Sequence, residues 1–143
     1  MAKVLAVCIS DIRGIQKHPV EKAELRVGHG IAGDAHAGVW HRQISILGID
    51  SVNRLRDRVS VEIKAGDFAE NILIEGIEIY KLPVGTKLRI GTALVEITQI
   101  GKKCHADCAI RQQAGDCVMP REGVFAKVLE NRAVKPGDIL LVA

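Results

Sequence analysis

The chain has 143 residues, of which 48% are hydrophobic and 26% are charged; this is typical of one globular domain with a substantial core. Twenty Lys and Arg against seventeen Asp and Glu leave a net charge of +3, too small a surplus to indicate a nucleic-acid surface. No apolar stretch approaches the roughly 20 residues that cross a bilayer, and the N-terminal apolar run is too short for a signal peptide. We therefore expect a single cytoplasmic domain over residues 1–143, with neither a membrane nor a nucleic-acid partner.

Short β-like runs, separated by glycine and proline, dominate the chain from its start to its end. In order they are VLAVCIS (4–10), QISIL (43–47), NILIEG (71–76), IEIY (77–80), TKLRIG (86–91), ALVEITQIG (93–101) and DILLVA (138–143). Turn signals such as Pro83 to Gly85 lie between them, at a spacing typical of hairpins. Because no βαβ alternation is visible, the pattern predicts a mainly β barrel with few helices.

Two segments have helical spacing. In DSVNRLRDR (50–58), Asp50 is the expected N-cap, and Val52 and Leu55 fall on one apolar face. In REGVFAKVLE (121–130), apolar residues recur four apart, which also predicts a helix. The β-branched content of this second segment would suit a strand as well.

The loop GHGIAG (28–33) matches the dinucleotide pattern G-x-G-x-x-G. The residues that follow, DAHAGVWHRQ, lack a helical period, so the strand, turn and helix that the pattern requires are not predicted. The glycines therefore predict only a tight loop. This loop is either a structural turn or an anion site formed by its backbone N–H groups. His29, His36 and His41 surround Asp34 at a spacing that matches no common zinc template. We expect them to bond backbone or substrate, and a metal role stays open.

Three of the four cysteines lie in GKKCHADCAIRQQAGDC (101–117), which we call the cysteine segment. A disulfide is disfavoured in a cytoplasmic protein. Cys104 and Cys108 are four residues apart rather than in a C-x-x-C pair, which argues against structural zinc without excluding a site completed by Cys117 and His105.

Basic neighbours give the third interpretation, a reactive or ligating thiol. Lys102, Lys103 and Arg111 surround the cysteines, and positive charge favours the thiolate. The remaining cysteine, Cys8, lies within an apolar run and is expected to be buried and inert.

Over most of its length the sequence resembles the MOSC domain, the module found at the C-terminus of molybdenum-cofactor sulfurases. The resemblance is carried, in family order, by GIQKHPV, GIAGDAH, HRQISIL, AGDFAENILIEG, LPVGTKLRIG, the cysteine segment, REGVFAKVL and VKPGDIL. It implies a closed β-barrel with a few short peripheral helices and a role in molybdenum-cofactor metabolism. The chain looks like a stand-alone bacterial-type member, and no PLP is expected in it.

The resemblance also implies a functional thiol within GKKCHADC, which carries sulfur or, in amidoxime-reducing relatives, ligates molybdenum. Cys104 follows the pattern of many bacterial members, whereas Cys108 fits the reducing relatives better. We prefer Cys108, both as the catalytic thiol and as the metal ligand, with Cys104 as the second candidate. A soft thiolate suits molybdenum.

Other positions that match the family are polar residues amid apolar strands, which imply a cofactor-binding mouth for a phosphorylated pterin. They are Lys17, Asp34, His36, Arg42, Gln43, Asn71, Arg121 and Glu122. For Asp34, Asn71 and Glu122, local turn capping is an equal alternative. The reducing relatives carry an arginine near the FAEN position, where this chain has Ala69 and Glu70; this disfavours a reductase that holds its cofactor tightly.

These observations together predict a protein that binds a molybdopterin-type ligand, carries sulfur on a cysteine, or does both. Because no PLP lysine motif is recognisable, a separate cysteine desulfurase would have to load the thiol. Proteins of molybdenum-cofactor biosynthesis, or the proteins that use the cofactor, are the other expected partners. The alternatives are a non-catalytic module that binds cofactor or a partner protein, and a β domain held together by zinc.

Overall fold

A computed structural model describes residues 2–12, 16–35, 37–56, 62–101 and 122–143. Within these ranges the chain is mainly β, with one α-helix, α1 (Ile49–Arg56), and a 3₁₀ turn at Ile79–Lys81. The strands are β1 (Lys3–Ile9), β2 (His18–Val20), β3 (Ala23–Arg26), β4 (Gly30–Ile31), β5 (Ile44–Gly48), β6 (Ile72–Glu75), β7 (Lys87–Ile90), β8 (Ala93–Ile100), β9 (Val124–Glu130), β10 (Arg132–Val134) and β11 (Leu140–Val142). No described helix has the length and apolarity that a bilayer crossing requires.

The larger sheet has eight strands in the order β11-β7-β8-β9-β5-β6-β1-β2. Its one parallel pair is β5 with β6, and the crossover between them contains α1, as parallel pairing requires. A second sheet has the order β10-β3-β4. At the centre of the larger sheet β9 pairs antiparallel with β5 on one side and β8 on the other.

The closed barrel that the resemblance implied is not supported, because the described strands form open sheets. In the larger sheet β11 and β2 are the two edge strands. Among the described residues, β1 and the segment that leads into β11 share one isolated bridge, Lys3 opposite Ile139. Backbone hydrogen bonds flank this bridge, from Val4 N–H to the Asp138 carbonyl at 2.8 Å and from Leu140 N–H to the Ala2 carbonyl at 2.9 Å. These contacts bring the two regions together without making a continuous ladder.

The larger sheet buries apolar side chains on both of its faces. One face packs with the smaller sheet around a core of valine, isoleucine and leucine, in which Ile44, Ile46 and Val124 are fully buried. The other face carries a second cluster in which Leu47 and Phe125 pack with Val52 and Leu55 of α1. Helix α1 therefore covers the sheet with the apolar face that the sequence predicted.

The predicted helix over 121–130 is wrong, since Val124–Glu130 is the central strand β9. Its apolar residues are nearly continuous because they serve two cores: Val124, Ala126 and Val128 lie in one, and Phe125 in the other. A strand buried on both faces loses the apolar–polar alternation that identifies strands. The remaining apolar spacing then resembles that of a helix.

Two further local predictions need correction. Asp50 lies inside α1, in its first turn, rather than at the N-cap; an acidic residue there still favours the helix through its dipole. The predicted strand IEIY instead contains the 3₁₀ turn, where Ile79 is buried and its neighbours face partly outward. Alternating burial over so few residues fits either structure.

Candidate functional site

Lys17 and Asp34, two predicted cofactor-binding residues, form a buried ion pair. The Lys17 Nζ lies 2.8 Å from the Asp34 Oδ1, and the side chains are only 3% and 0% exposed. The same Asp34 oxygen accepts a hydrogen bond from the Ser10 backbone N–H at 3.1 Å. We call these three residues the Lys17–Asp34 pair with Ser10. Their polar groups satisfy one another inside the protein, as burial of charge requires.

The backbone of Lys17 is fixed against a second loop by glycine. Lys17 N–H donates to the Gly66 carbonyl at 2.8 Å. Gly66 has φ +91, and a Cβ at this position would lie 2.1 Å from the Lys17 carbonyl oxygen. Only glycine allows both the positive φ and the close approach of the Lys17 carbonyl. Gly66 therefore helps to fix the position of the Lys17 backbone, from which the side chain reaches Asp34.

Asn71 and Gln43 use their side-chain amides to join strands. Asn71 Oδ1 accepts from the Ser45 N–H at 2.9 Å, and its Nδ2 donates to the Cys8 carbonyl at 3.1 Å, so Asn71 connects the starts of β5 and β6 to β1. Gln43 Oε1 accepts from the Val128 N–H at 2.9 Å. These contacts account for both residues structurally, and a role in cofactor binding stays a prediction.

Glu70 and Cys8 are buried titratable groups near the Lys17–Asp34 pair. The Glu70 carboxylate accepts from the N–H groups of Gly66 at 2.9 Å and Phe68 at 3.1 Å, yet burial raises the pKa of its carboxyl group above the usual range. Burial, with a further contribution from the Glu70 charge, raises the pKa of the Cys8 thiol to about 12. At neutral pH this thiol is therefore protonated and a poor nucleophile.

Arg42, another predicted cofactor-binding residue, lies against two aromatic rings. Its Cζ is 4.6 Å from the centroid of the Trp40 ring and 5.6 Å from that of Phe125. The Trp40 ring meets the His41 ring edge to face, with centroids 6.1 Å apart. Arg42 and Trp40 are partly exposed and His41 is exposed. A cation held over aromatic faces at the surface is well placed to meet an anion.

Gln99 of β8 connects this group to the start of the cysteine segment. Its Nε2 donates to the Gly101 carbonyl at 2.7 Å, and its Oε1 lies 2.7 Å from His41 Nε2. Gln99 is the register partner of Phe125, so the two side chains project from the same face of the sheet. We call Trp40, His41, Arg42, Gln99 and Phe125 the Arg42 cluster.

Glu122, the first described residue after the cysteine segment, contacts helix α1, and its role in cofactor binding stays a prediction. Its Oε1 accepts from the Ser51 hydroxyl at 2.6 Å and pairs with the Arg54 guanidinium. Next to it, the Gly101 N–H donates to the Gly123 carbonyl at 2.6 Å. Gly101 and Gly123, which lie on either side of residues 102–121 in the sequence, are therefore adjacent, and the hydrogen-bonded side chains of Gln99 and Glu122 lie beside them.

The other predicted site residues, Cys104, Cys108, His36 and Arg121, lie outside the described residues. Within the described part of the chain, no three His, Cys, Asp or Glu side chains are grouped in a way that could hold a metal ion. A surface groove of about 430 Å³ between Lys22, Thr92 and Lys135 contains none of the predicted positions.

Residues 33–140 match the model of the MOSC domain family. The chain belongs to the MOSC domain family. YuaD from Bacillus subtilis is similar in structure, with a TM-score of 0.73 at 19% identity over 98% of this chain and 94% of that one. YiiM from Geobacillus stearothermophilus has a TM-score of 0.73 at 19% identity over 100% of this chain and 75% of that one. At such identity these likenesses concern the fold alone. No curated protein matches the sequence.

Among the described residues of this MOSC domain, the charged positions predicted to bind cofactor fall into three separate groups of contacts. Lys17 and Asp34 neutralise each other, Glu122 pairs with Arg54, and Arg42 lies in the aromatic cluster beside Gly101. Sequence reasoning missed Gln99 and gave His41 only a general role. The sequence does contain polar residues at both places, HRQ just before β5 and TQ near the end of β8. Nothing in the sequence shows that these residues meet, because that depends on the strand register.

Proposed function

We propose that this MOSC domain binds a molybdopterin-type ligand through its anionic group at the Arg42 cluster, and that a cysteine of the cysteine segment acts beside it. Cys108 is the preferred thiol and Cys104 the second candidate, as sulfur carrier or as thiolate ligand to molybdenum. Family membership connects the chain to molybdenum-cofactor proteins. The location of the ligand and the role of the thiol are our inference.

The observation that supports the location is the hydrogen bonding of Gln99. One amide group contacts both Gly101, the first residue of the cysteine segment, and His41, whose neighbour in the sequence, Arg42, carries the positive charge. Lys17 is a poorer anchor for an anion because its charge is already compensated by Asp34 in the interior. Glu122 carries a negative charge that pairs with Arg54. Of the predicted positions that are described, Arg42 therefore fits an anionic group best.

Binding of the cofactor is tested with the protein purified from a molybdenum-replete host. Molybdenum and pterin contents are measured for the wild type, for Arg42→Ala, and for Arg26→Ala as a matched control at an exposed position of strand β3. We expect Arg42→Ala to lower both contents about tenfold, since a charge-assisted hydrogen bond contributes about 1.5 kcal/mol or more. Equal contents in the two variants would contradict the proposed location.

Sulfur transfer is tested by incubating the protein with a cysteine desulfurase and labelled cysteine, followed by intact mass and peptide mapping. The expected product carries one additional sulfur on Cys108, and Cys108→Ser abolishes it. Cys8→Ala is the control, because the buried Cys8 thiol is protonated at neutral pH and is not expected to accept sulfur. Retention of the label in Cys104→Ser, Cys108→Ser and Cys117→Ser alike would refute the relay.

A further inference from the structure

The hydrogen bonds of Gln99 determine which nitrogen of His41 carries the proton. A backbone carbonyl is only an acceptor, so the atom of Gln99 that lies 2.7 Å from the Gly101 oxygen is its NH₂ group. The amide oxygen then faces His41 Nε2 at 2.7 Å. An amide oxygen cannot donate, and His41 Nε2 must therefore be the donor.

The backbone of His41 is fixed as well. The Thr98 hydroxyl donates to the His41 carbonyl and also lies 3.2 Å from the Phe125 carbonyl. With the backbone held by Thr98 and Nε2 held by Gln99, the orientation of the ring is set by β8. Within the described part of the chain, Nδ1 has no hydrogen bond to a protein atom, and the residue is exposed.

We infer that Gln99 is a positioning residue that holds His41 as the Nε2-protonated tautomer, so that Nδ1 is a pH-dependent contact for the oxyanion bound at Arg42. The inference rests on the proposed function. In the neutral ring Nδ1 is an acceptor and offers nothing to a fully ionised oxyanion. Protonation makes Nδ1 a second, charged donor while the Nε2–H bond to Gln99 persists. The ligand class is a tetrahedral oxyanion, such as the phosphate of a monoester.

Among the described residues, the side chains next to His41 come from β8 and from its own segment. From β8 its neighbours are Thr98 and Gln99, and neither titrates. From its own segment they are Trp40, whose ring meets the imidazole, and the next residue in the sequence, Arg42, whose charge is constant.

The tautomer is tested first, without a ligand. The ring ¹⁵N shifts of His41 distinguish the two tautomers, and we expect the Nε2-protonated form in the wild type. In Gln99→Leu the amide is lost, and we expect a mixture of the two tautomers. Dominance of the Nδ1-protonated form in the wild type would overturn the inference, whatever the protein binds.

Binding is tested with sulfate, whose charge stays constant from mildly acidic to mildly alkaline pH, so that changes in affinity report the protein. Titrations followed by the Trp40 indole signal are expected to show affinity rising about fivefold as pH falls through histidine's titration range, a gain typical of a partly exposed charge pair. His41→Gln should remove the rise. Gln99→Glu places a carboxylate beside His41 Nε2 and should move the midpoint of the pH dependence to higher pH, while the tautomer mixture in Gln99→Leu is the result that a purely structural Gln99 would not produce.

The outcomes separate the two proposals. Sulfate affinity that requires Arg42 but does not change with pH would overturn the role of His41 and leave the Arg42 site standing. Absence of sulfate binding at every pH, with the tautomer as expected, would overturn the Arg42 site and the inference that rests on it. A midpoint unmoved in Gln99→Glu, with wild-type pH dependence intact, would overturn Gln99 as the positioning residue.

Discussion

The Lys17–Asp34 pair and the Arg42 cluster both hold cations that the sequence suggested for ligand binding, but their surroundings differ. The Lys17 side chain is 3% exposed, and its ammonium lies 2.8 Å from a carboxylate oxygen. Arg42 is partly exposed and lies over the rings of Trp40 and Phe125. The first arrangement satisfies the charge inside the fold and joins loops. In the second arrangement the guanidinium packs on aromatic rings and stays close to solvent, where it is accessible to a ligand.

The comparison is tested most severely by breaking the buried pair. Asp34→Ala leaves the Lys17 ammonium buried beside Ser10 without its carboxylate. The expected loss is about 3–5 kcal/mol of the free energy of unfolding, as for removal of one partner of a buried ion pair. Urea denaturation measures it. Glu75→Gln, which breaks the exposed pair between Lys3 and Glu75, is the control and should cost less than about 1 kcal/mol. Similar losses in both variants would contradict a structural role for Asp34.

A second test displaces the loop around Gly66, which contacts the backbone of Lys17. Gly66→Ala introduces a Cβ against the Lys17 carbonyl at a positive φ, with an expected cost of about 3 kcal/mol from overpacking and strain together. Gly85 also has a positive φ, +96, but nothing lies within 4 Å of its Cβ position. Gly85→Ala should therefore cost only the strain, about 1–2 kcal/mol. Equal melting temperatures for the two variants would show that the contact between Gly66 and Lys17 is unimportant.

Glu70 gives a pH-dependent test of the same region. Because burial raises the pKa of its carboxyl group in the folded state, the folded protein binds this proton more tightly than the unfolded chain. The stabilisation is fully present below the unfolded pKa and is lost as pH rises through the folded pKa. As pH falls from above the folded pKa of Glu70 to below its unfolded pKa, the wild type should therefore gain unfolding free energy relative to Glu70→Gln. A difference that is constant with pH would contradict the raised pKa.

The sequence predicted the features that depend on neighbouring residues, and it did not predict those that depend on contacts between residues far apart in the chain. Apolar runs such as NILIEG and ALVEITQIG predicted strands β6 and β8 because the pattern is local. β9 was mistaken for a helix because its two faces enter different cores, a fact that depends on what packs against each face. The polar character of Asp34 and Arg42 was readable, but their separation into an interior pair and a surface cluster was not. Those contacts span 17 and 83 residues of sequence, from Lys17 to Asp34 and from Arg42 to Phe125.

The smallest effect on stability, and the sharpest contrast with Asp34→Ala, is expected for Arg42→Ala. Loss of the contacts with Trp40 and Phe125 should cost about 1 kcal/mol of unfolding free energy, the usual contribution of a cation over an aromatic ring near the surface. Sulfate binding should nevertheless fall to the level of a non-specific surface. Urea denaturation and sulfate titration on the same preparations measure both quantities, with Arg26→Ala as the control. Arg42→Lys separates charge from shape: it keeps the cation but loses the planar group that stacks and binds two oxygens, so partial recovery of binding is expected. A loss of stability in Arg42→Ala as large as that in Asp34→Ala, with sulfate binding unchanged, would place Arg42 with the structural residues and remove the distinction between the two regions.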